Sequence, residues 1–222
     1  MNWKVVLLLL ICVPIFAQDK IERNLGDFTK VKSYRGLQIE LIKSDQPKII
    51  IDGNKSSHVT VKNDNGTLKI SMDLTGTFNS DDVMVYLYYT KDLDLLDANE
   101  GSMIYSDQKI TQDRLEARAQ EGARIKLEFE GRKLKVMSNT GAYVNMKGNV
   151  EDQDVKVNTG GIYKGERLTA QNTEVNAATG GNAEVFAVKS VDAKANTAGI
   201  IKVHGDPEQV SSSESTGGKI KD

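Results

Sequence analysis

The chain has 222 residues and carries 29 lysine and arginine against 31 aspartate and glutamate side chains, for a formal net charge of -2 at pH 7. This near balance argues against a nucleic-acid-binding protein, which would present a clustered basic surface. The single cysteine, Cys12, falls in the apolar first stretch, so no disulfide is expected in the remainder of the chain.

Residues 1–17 have the pattern of a secretory signal peptide. Lys4 supplies a positive start, Val5–Phe16 is an apolar run, and Ala17 is a small residue suited to cleavage. The run is too short to span a bilayer comfortably, although a retained N-terminal anchor is an alternative. A lipoprotein would need a small residue before Cys12, where Ile11 stands. Removal of Lys4 with this segment changes the net charge from -2 to -3, and the mature chain holds no second long apolar run.

Residues 18–222 are expected to form a single domain, which begins with irregular strands over residues 18–94. Alternating apolar and polar residues predict strands around Leu37–Leu41 and Val83–Tyr89. The sequence NDNG at Asn63–Gly66 predicts a tight turn and a hairpin. The charged stretch Gln112–Gly131 is the best helix signal in the chain, and a short helix there is an alternative to a strand.

Residues 95–222 carry a repeat of about twenty residues. Each unit is anchored on a small residue that follows a polar pair, and successive anchors are 21, 19, 19, 20, 18 and 19 residues apart. The anchors are Gly101, Gly122, Gly141, Gly160, Gly180, Ala198 and Gly217. Positions three and five after the anchor, and five before it, are mostly apolar, which predicts one strand on each side of a glycine corner. Glycine suits the corner because a tight bend needs backbone angles that a Cβ resists.

This period favours an all-β fold, a single-stranded parallel β-helix (β-solenoid) with about 19–20 residues per coil. A leucine-rich repeat is the alternative, but no unit shows its Leu-x-x-Leu-x-Leu consensus. Threonine precedes the corner in five units, and asparagine precedes three of those threonines. We expect these stacked polar side chains to hydrogen-bond along the solenoid axis.

The chain resembles the putative auto-transporter adhesin, head GIN domain family. The residues that carry the resemblance are GTLKI at Gly66–Ile70 and the corners NTGAYV, NTGGIY, ATGGNA and NTAGII, within about Phe28–Gly217. The family's usual corner is Ser-Gly-Ser-Gly, whereas most units here have Thr-Gly-Gly or Glu-Gly. The resemblance implies an exported β-helical protein of a bacterial envelope, in the periplasm or on the outer surface of a Gram-negative cell. It carries over no catalytic residues.

Enzyme and metal chemistry have few candidate residues. His58 and His204 are the only histidines, and both are expected to be ordinary strand residues, because a zinc site needs three or four ligands. Asp107 and Glu128 would stack on adjacent coils, followed in the same register by Lys147 and Glu166. A cleft lined by the first two would favour a glycosidase, which needs paired carboxyl groups.

Two outward features remain, a column of mixed charge that suits a solvated face and the tyrosines, which bear on sugar recognition. Lys126, Lys164 and Lys202 alternate along one column with Asn145 and Glu184. Tyrosines form two separate groups, which could act as sugar-stacking platforms or as strand packing. These groups are Tyr105, Tyr143 and Tyr163, and then Tyr86, Tyr88 and Tyr89.

The sequence therefore predicts a non-enzymatic envelope protein that acts as an adhesion or interaction surface. A carbohydrate-binding or carbohydrate-cleaving module on the same scaffold is the alternative. No catalytic residue, metal or cofactor is expected. We also expect no nucleic-acid partner and no transmembrane segment in the mature chain. The partner is an unidentified envelope or extracellular molecule, with a glycan as one candidate. Homo-oligomers are also considered, since an uncapped last coil would offer an edge for pairing.

Overall fold

The computed structural model describes residues 20–75 and 83–221, so the predicted signal peptide lies outside the described part and remains a prediction. The described residues form strands and one short 3-10 turn, Ser56–His58. The strands are β1 (Lys20–Asn24), β2 (Lys30–Tyr34), β3 (Gln38–Lys43), β4 (Lys48–Asp52), β5 (Val59–Asp64), β6 (Thr67–Met72), β7 (Met84–Tyr89), β8 (Leu95–Ala98), β9 (Met103–Tyr105), β10 (Ile110–Thr111), β11 (Arg114–Ala119), β12 (Arg124–Ser138), β13 (Tyr143–Val157), β14 (Ile162–Ala177), β15 (Asn182–Ala195), β16 (Ile200–His204), β17 (Gln209–Glu214) and β18 (Lys219–Lys221).

The architecture is a parallel β-solenoid, which confirms the predicted fold class. β12, β13, β14 and β15 stack in parallel, so equivalent residues of successive coils lie side by side. The column five residues before each corner runs through Val136, Val155 and Val175, which are direct neighbours. All three are buried. Each such valine removed from water stabilises the stack by about 1.5–3 kcal/mol.

The corners are two-residue turns in which both residues have left-handed backbone angles. At the corner before β13, φ is 50° at Thr140 and 70° at Gly141, and the amide of Ala142 donates to the carbonyl of Asn139 at 3.1 Å. This is the geometry of a type I′ turn. Nine such pairs occur in the described part of the chain, one of them the hairpin turn Asn65–Gly66. The eight at the corners are Arg35–Gly36, Glu100–Gly101, Glu121–Gly122, Thr140–Gly141, Thr159–Gly160, Thr179–Gly180, Thr197–Ala198 and Thr216–Gly217.

Backbone hydrogen bonds tie each corner to the next. The amide of Gly141 donates to the carbonyl of Thr159 at 3.1 Å, and the amide of Gly160 donates to that of Thr179 at 3.1 Å. The expected hydrogen bonds between identical corner side chains are not found among the described residues, and a serine–asparagine pair is found instead. Asn196 accepts a hydrogen bond from the Ser215 hydroxyl at 2.7 Å, whereas Asn139 Oδ1 is buried without a hydrogen-bond partner. The corners are therefore held mainly through main-chain groups.

The stack extends back to residue 30, well before the boundary at residue 95 that the repeat suggested. β2 and β3 form a coil around Arg35–Gly36, and β8 and β9 lie parallel to it on one side. β6 and β7 lie parallel to it on the other side. The chain thus builds the β2–β3 coil, adds β6 and β7 beneath it, and then crosses over it to begin β8.

Antiparallel strands cover the N-terminal end of the solenoid. β5 pairs with β6 as a hairpin around Asn65–Gly66, which confirms the turn predicted from NDNG. β4 pairs with β7, and β1 pairs with β4, both antiparallel. These strands occupy the hydrogen-bonding edges of the first coil in the stack, where free edges would invite pairing with other chains.

The helix considered for Gln112–Gly131 is not formed. Those residues instead contribute β11 and the first half of β12. In β11, Leu115, Ala117 and Ala119 are buried, while the charged residues between them face outward. The alternation has a period of two, and the parallel partners on β8 and β12 override the helix propensity of the charged residues.

The core is one continuous column of apolar side chains with a few polar groups enclosed. Tyr163 is fully buried between Val144 and Ala183 in the column three residues after the corner. Its ring fits because Gly165 has no side chain; a Cβ there would lie 2.5 Å from the Tyr163 hydroxyl. That hydroxyl donates to Gln153 Oε1 at 3.2 Å, and burial raises its pKa far above the ordinary value.

Candidate functional site

The first face is the surface formed by the outward residues of the strands that follow the corners. These strands are β3, β9, β16, β18 and the first halves of β12 to β15, and the face also includes β7, which pairs in parallel with β3. Because side chains alternate across a strand, the residue four positions after each corner points outward. The strand registers place these residues in a single column: Tyr86, Glu40, Tyr105, Lys126, Asn145, Lys164, Glu184, Lys202 and Lys221.

The N-terminal end of this column is aromatic. Tyr86 and Tyr105 flank Glu40 on neighbouring coils, and the Tyr105 hydroxyl donates to Glu40 Oε2 at 3.4 Å. Partial burial, together with Glu40, raises the pKa of Tyr105 above its ordinary value. The two tyrosine groups seemed separate in the sequence, but the crossing of the chain between β7 and β8 brings members of both to one column. Tyr163 belongs to the core instead.

The C-terminal half of the column is cationic and partly paired. Lys164 forms an ion pair with Glu184, and His204 Nε2 lies 3.1 Å from Glu184 Oε2. The hydrogen bond from Lys164, assisted by His204, lowers the pKa of Glu184. Lys126 and Lys202 have no ion pair within the described residues.

A cleft of about 230 Å³ opens on the first face around Lys126. Its lining residues are Ser106, Asp107, Lys126, Leu127, Glu128, Asn145, Lys147 and Arg167. Asp107 and Glu128 therefore do share a cleft, the arrangement that would favour a glycosidase. However, Glu128 Oε2 lies 2.7 Å from Lys147 Nζ, and this contact lowers the pKa of Glu128. A glycosidase needs one carboxyl group with a raised pKa as the acid and a second that stays ionised. The lowered pKa of Glu128 therefore argues against a proton donor, and is compatible with the ionised partner or with a binding group.

Arg167 reaches this cleft because β14 carries a bulge. The sequence placed Glu166 after Lys147 in the outward register, but Lys147 pairs with Arg167 instead. The register of β14 shifts by one residue relative to β13 beyond Asn145, which displaces Glu166. Glu166 Oε2 is buried and has no hydrogen-bond partner among the described residues. The bulge thus exchanges an expected carboxylate for a guanidinium at the cleft.

A larger groove, about 620 Å³, lies on another face of the solenoid, along the strands that precede the corners. Asp154, Glu174 and Asp192 form an outward column there. Its polar groups already bond to one another: Asn172 Nδ2 donates to Asp152 Oδ1 at 3.0 Å, and the Ser190 hydroxyl donates to Asn172 Oδ1 at 2.9 Å. We treat this groove as a solvated face.

The two histidines lie in different elements. His204 is in β16, whereas His58 lies in the 3-10 turn and not in a strand as expected, with its Nδ1 3.0 Å from Asp73 Oδ2. Within residues 20–75 and 83–221, no group of three or more histidine, cysteine, aspartate or glutamate side chains could hold a metal ion. The same residues include no helix long and apolar enough to cross a bilayer.

A family model described as "Putative auto-transporter adhesin, head GIN domain" matches residues 27–207. Comparison with curated proteins gives no match.

Several solved structures share the fold. A putative adhesin from Bacteroides fragilis has a TM-score of 0.81 at 20% identity, with 91% of this chain and 95% of that chain covered. A putative lipid binding protein from Parabacteroides distasonis has a TM-score of 0.72 at 21% identity, with 91% and 95% covered. A putative adhesin from Parabacteroides merdae has a TM-score of 0.68 at 16% identity, with 91% and 94% covered.

Proposed function

The chain belongs to the putative auto-transporter adhesin, head GIN domain family, and on that premise we propose that it is an exported, non-enzymatic envelope protein whose first face binds a partner. The observation that carries the proposal is the single outward column that begins with two tyrosines on either side of a glutamate and continues with lysines on alternate coils. Continuous parallel pairing holds these side chains on a rigid scaffold, so little ordering cost would oppose binding. The mature protein acts by display, in the periplasm or on the outer surface.

The family and its structural neighbours are named as adhesins and not as enzymes, which supports a binding role. A carbohydrate-binding or carbohydrate-cleaving module is the second candidate, and the cleft that contains Asp107 and Glu128 is the observation that favours it. One neighbour is named a lipid binding protein, so a lipid partner enters the test as a competing outcome.

Adhesion of protein-coated beads to bacterial and host cells tests the proposal. Beads carrying the purified protein should adhere, and the variant Lys126→Glu/Lys202→Glu should lose adhesion. The matched control, Lys133→Glu/Lys156→Glu, makes the same charge change on the strands that precede the corners. Equal adhesion of both variants would show that the first face is not the binding surface. Failure of the wild-type protein to adhere to any cell would refute the adhesin role.

A further inference from the structure

We infer that the first-face cleft binds one negatively charged sugar unit of a linear acidic polysaccharide. The inference rests on the proposed function and names the chemical class of the partner. It stands on four features: two unpaired cations, hydrogen-bond acceptors between them, aromatic rings at the margin, and a further unpaired cation along the same column.

The cations are placed to receive a carboxylate or sulfate group. Lys126 and Arg167 line the same cleft, and neither forms an ion pair within the described residues. A guanidinium offers several N–H donors in a fixed plane that matches the oxygens of such a group. The bulge in β14 brings Arg167 to this position, so the pairing depends on an irregularity of this coil and not on the repeat.

The carboxylates in the cleft favour a sugar over other polyanions. Asp107 is exposed and Glu128 is already neutralised by Lys147, so both can accept hydrogen bonds from hydroxyl groups while the cleft keeps a net positive charge. Binding to phosphates of a nucleic acid or an anionic lipid surface would be served by cations alone and weakened by two acids. A ligand that carries one acidic group among many hydroxyls fits both kinds of lining residue.

Two tyrosines lie next to residues that line the cleft, although neither lines it itself. Tyr105 is the register neighbour of Lys126, and the Tyr143 hydroxyl accepts a hydrogen bond from Asn145 Nδ2 at 3.5 Å. Both tyrosines are half-buried, so each presents part of its ring to solvent while the rest is held against the protein. Large exposed hydrophobic side chains are found at Leu74 and Val210 among the described residues, and neither lies on the first face. The first face therefore offers no large exposed aliphatic side chain for insertion into the core of a bilayer.

A second unpaired lysine, Lys202, lies in the same outward column as Lys126, farther along the solenoid axis. Lys202 lies four strands beyond Lys126, a separation of about 19 Å at the usual spacing between strands. A single sugar can reach only one of these lysines, whereas an extended oligosaccharide with an acid on each unit can contact both. Affinity should therefore rise with chain length.

Calorimetric titration of the purified protein tests the inference with an oligogalacturonate hexamer and a heparin-derived hexasaccharide. The methyl-esterified galacturonate hexamer is the matched probe without charge. At least one acidic hexamer should bind, more tightly than its monomer and much more tightly than the ester. Lys126→Ala and Arg167→Ala should each weaken binding roughly tenfold, the effect of losing one charge-assisted hydrogen bond. Lys156→Ala, on the strands that precede the corners, should bind as the wild type does.

Equal binding of the ester, or no effect of Lys126→Ala and Arg167→Ala, overturns the inference. So does failure of both acidic hexamers, or tighter binding to vesicles of phosphatidylglycerol or to single-stranded DNA. Cleavage of either hexamer would instead contradict the non-enzymatic role. If bead adhesion depends on the first face but neither acidic hexamer binds, the proposed function stands and only the partner class is wrong.

Discussion

Threonine occupies a strained backbone position in five consecutive corners. Thr140, Thr159, Thr179 and Thr197 have φ near 50°, as does Thr216. A β-branched residue is disfavoured in this left-handed region, where asparagine and glycine are the usual occupants. The main-chain carbonyl of each of these threonines accepts a hydrogen bond from the amide of the small residue in the preceding corner. Any residue could supply that carbonyl. The threonine side chains are therefore not explained by corner stability.

Replacing one corner threonine by asparagine should stabilise the protein. We expect Thr159→Asn to raise the free energy of unfolding by about 0.5–1 kcal/mol, because asparagine adopts the left-handed conformation with less strain. Chemical denaturation of wild type and variant measures the difference. Thr60→Asn is the control, since Thr60 is an exposed residue of β5 with extended backbone, where asparagine should give no gain. A loss of stability in Thr159→Asn would show that the hydroxyl makes a contact worth more than the strain.

At the level of single residues, the sequence could locate the small residues of the repeat but not the angles they adopt. Gly101 and Ala198 were aligned by spacing alone, and their φ values are 71° and 58°. Arg35–Gly36 escaped notice because 65 residues separate Gly36 from Gly101, more than three times the repeat. Arg167 could not be assigned to the cleft either. The coil from Gly160 to Gly180 is one residue longer than the coil before it, but its length does not say where the extra residue lies.

Among the elements, β13 shows why the buried columns could be predicted. Its residues alternate between core and surface, and Val144 and Val155 fall on the inward positions that the repeat implied. A period of two combined with an anchor in every coil leaves little freedom, because a one-residue slip would turn the valines outward. Tyr163 occupies the same column as Val144, and its larger ring fits only because Gly165, five residues after the corner, has no side chain. This contact between Tyr163 and Gly165 is visible only in three dimensions.

A charge placed in the β13 column should disrupt the stack. Val144 is fully buried, so Val144→Asp should cost at least several kcal/mol of unfolding free energy by burying a carboxylate without a partner. The adjacent Asn145 faces outward, and Asn145→Asp should change stability by no more than about 0.5 kcal/mol. Thermal melting of the two variants compares the faces directly. Greater damage from Asn145→Asp would mean that the faces of β13 are assigned the wrong way round.

At the scale of the whole molecule, the order of the coils differs from the order of the chain. The chain crosses from β7 over the β2–β3 coil to β8. As a result the β2–β3 coil, which comes first in the chain, lies second in the stack, between β6–β7 and β8–β9. No local pattern reveals this order, because β2, β3, β6 and β7 alternate between core and surface just as the later strands do. The crossing also builds the aromatic end of the first face, so the candidate site depends on topology that sequence periodicity cannot reveal.

Antiparallel strands cover the N-terminal end of the stack but not the C-terminal end, and this difference should determine where local unfolding begins. β4 and β5 pair with β7 and β6 at the N-terminal end, whereas the six residues of β17 are all exposed and pair with β15 on one side. In a solenoid each coil is stabilised by its neighbours, so a coil with one partner opens more readily. Hydrogen exchange followed by mass spectrometry should find amides of β17 and β18 exchanging first, then β16, with β12 to β14 slowest. The antiparallel strands β4 and β5 should remain protected longer than β17. Exchange that begins in β4 and β5 would show that antiparallel capping does not hold the N-terminal coil, and would locate the weak point of the stack at the aromatic end of the first face.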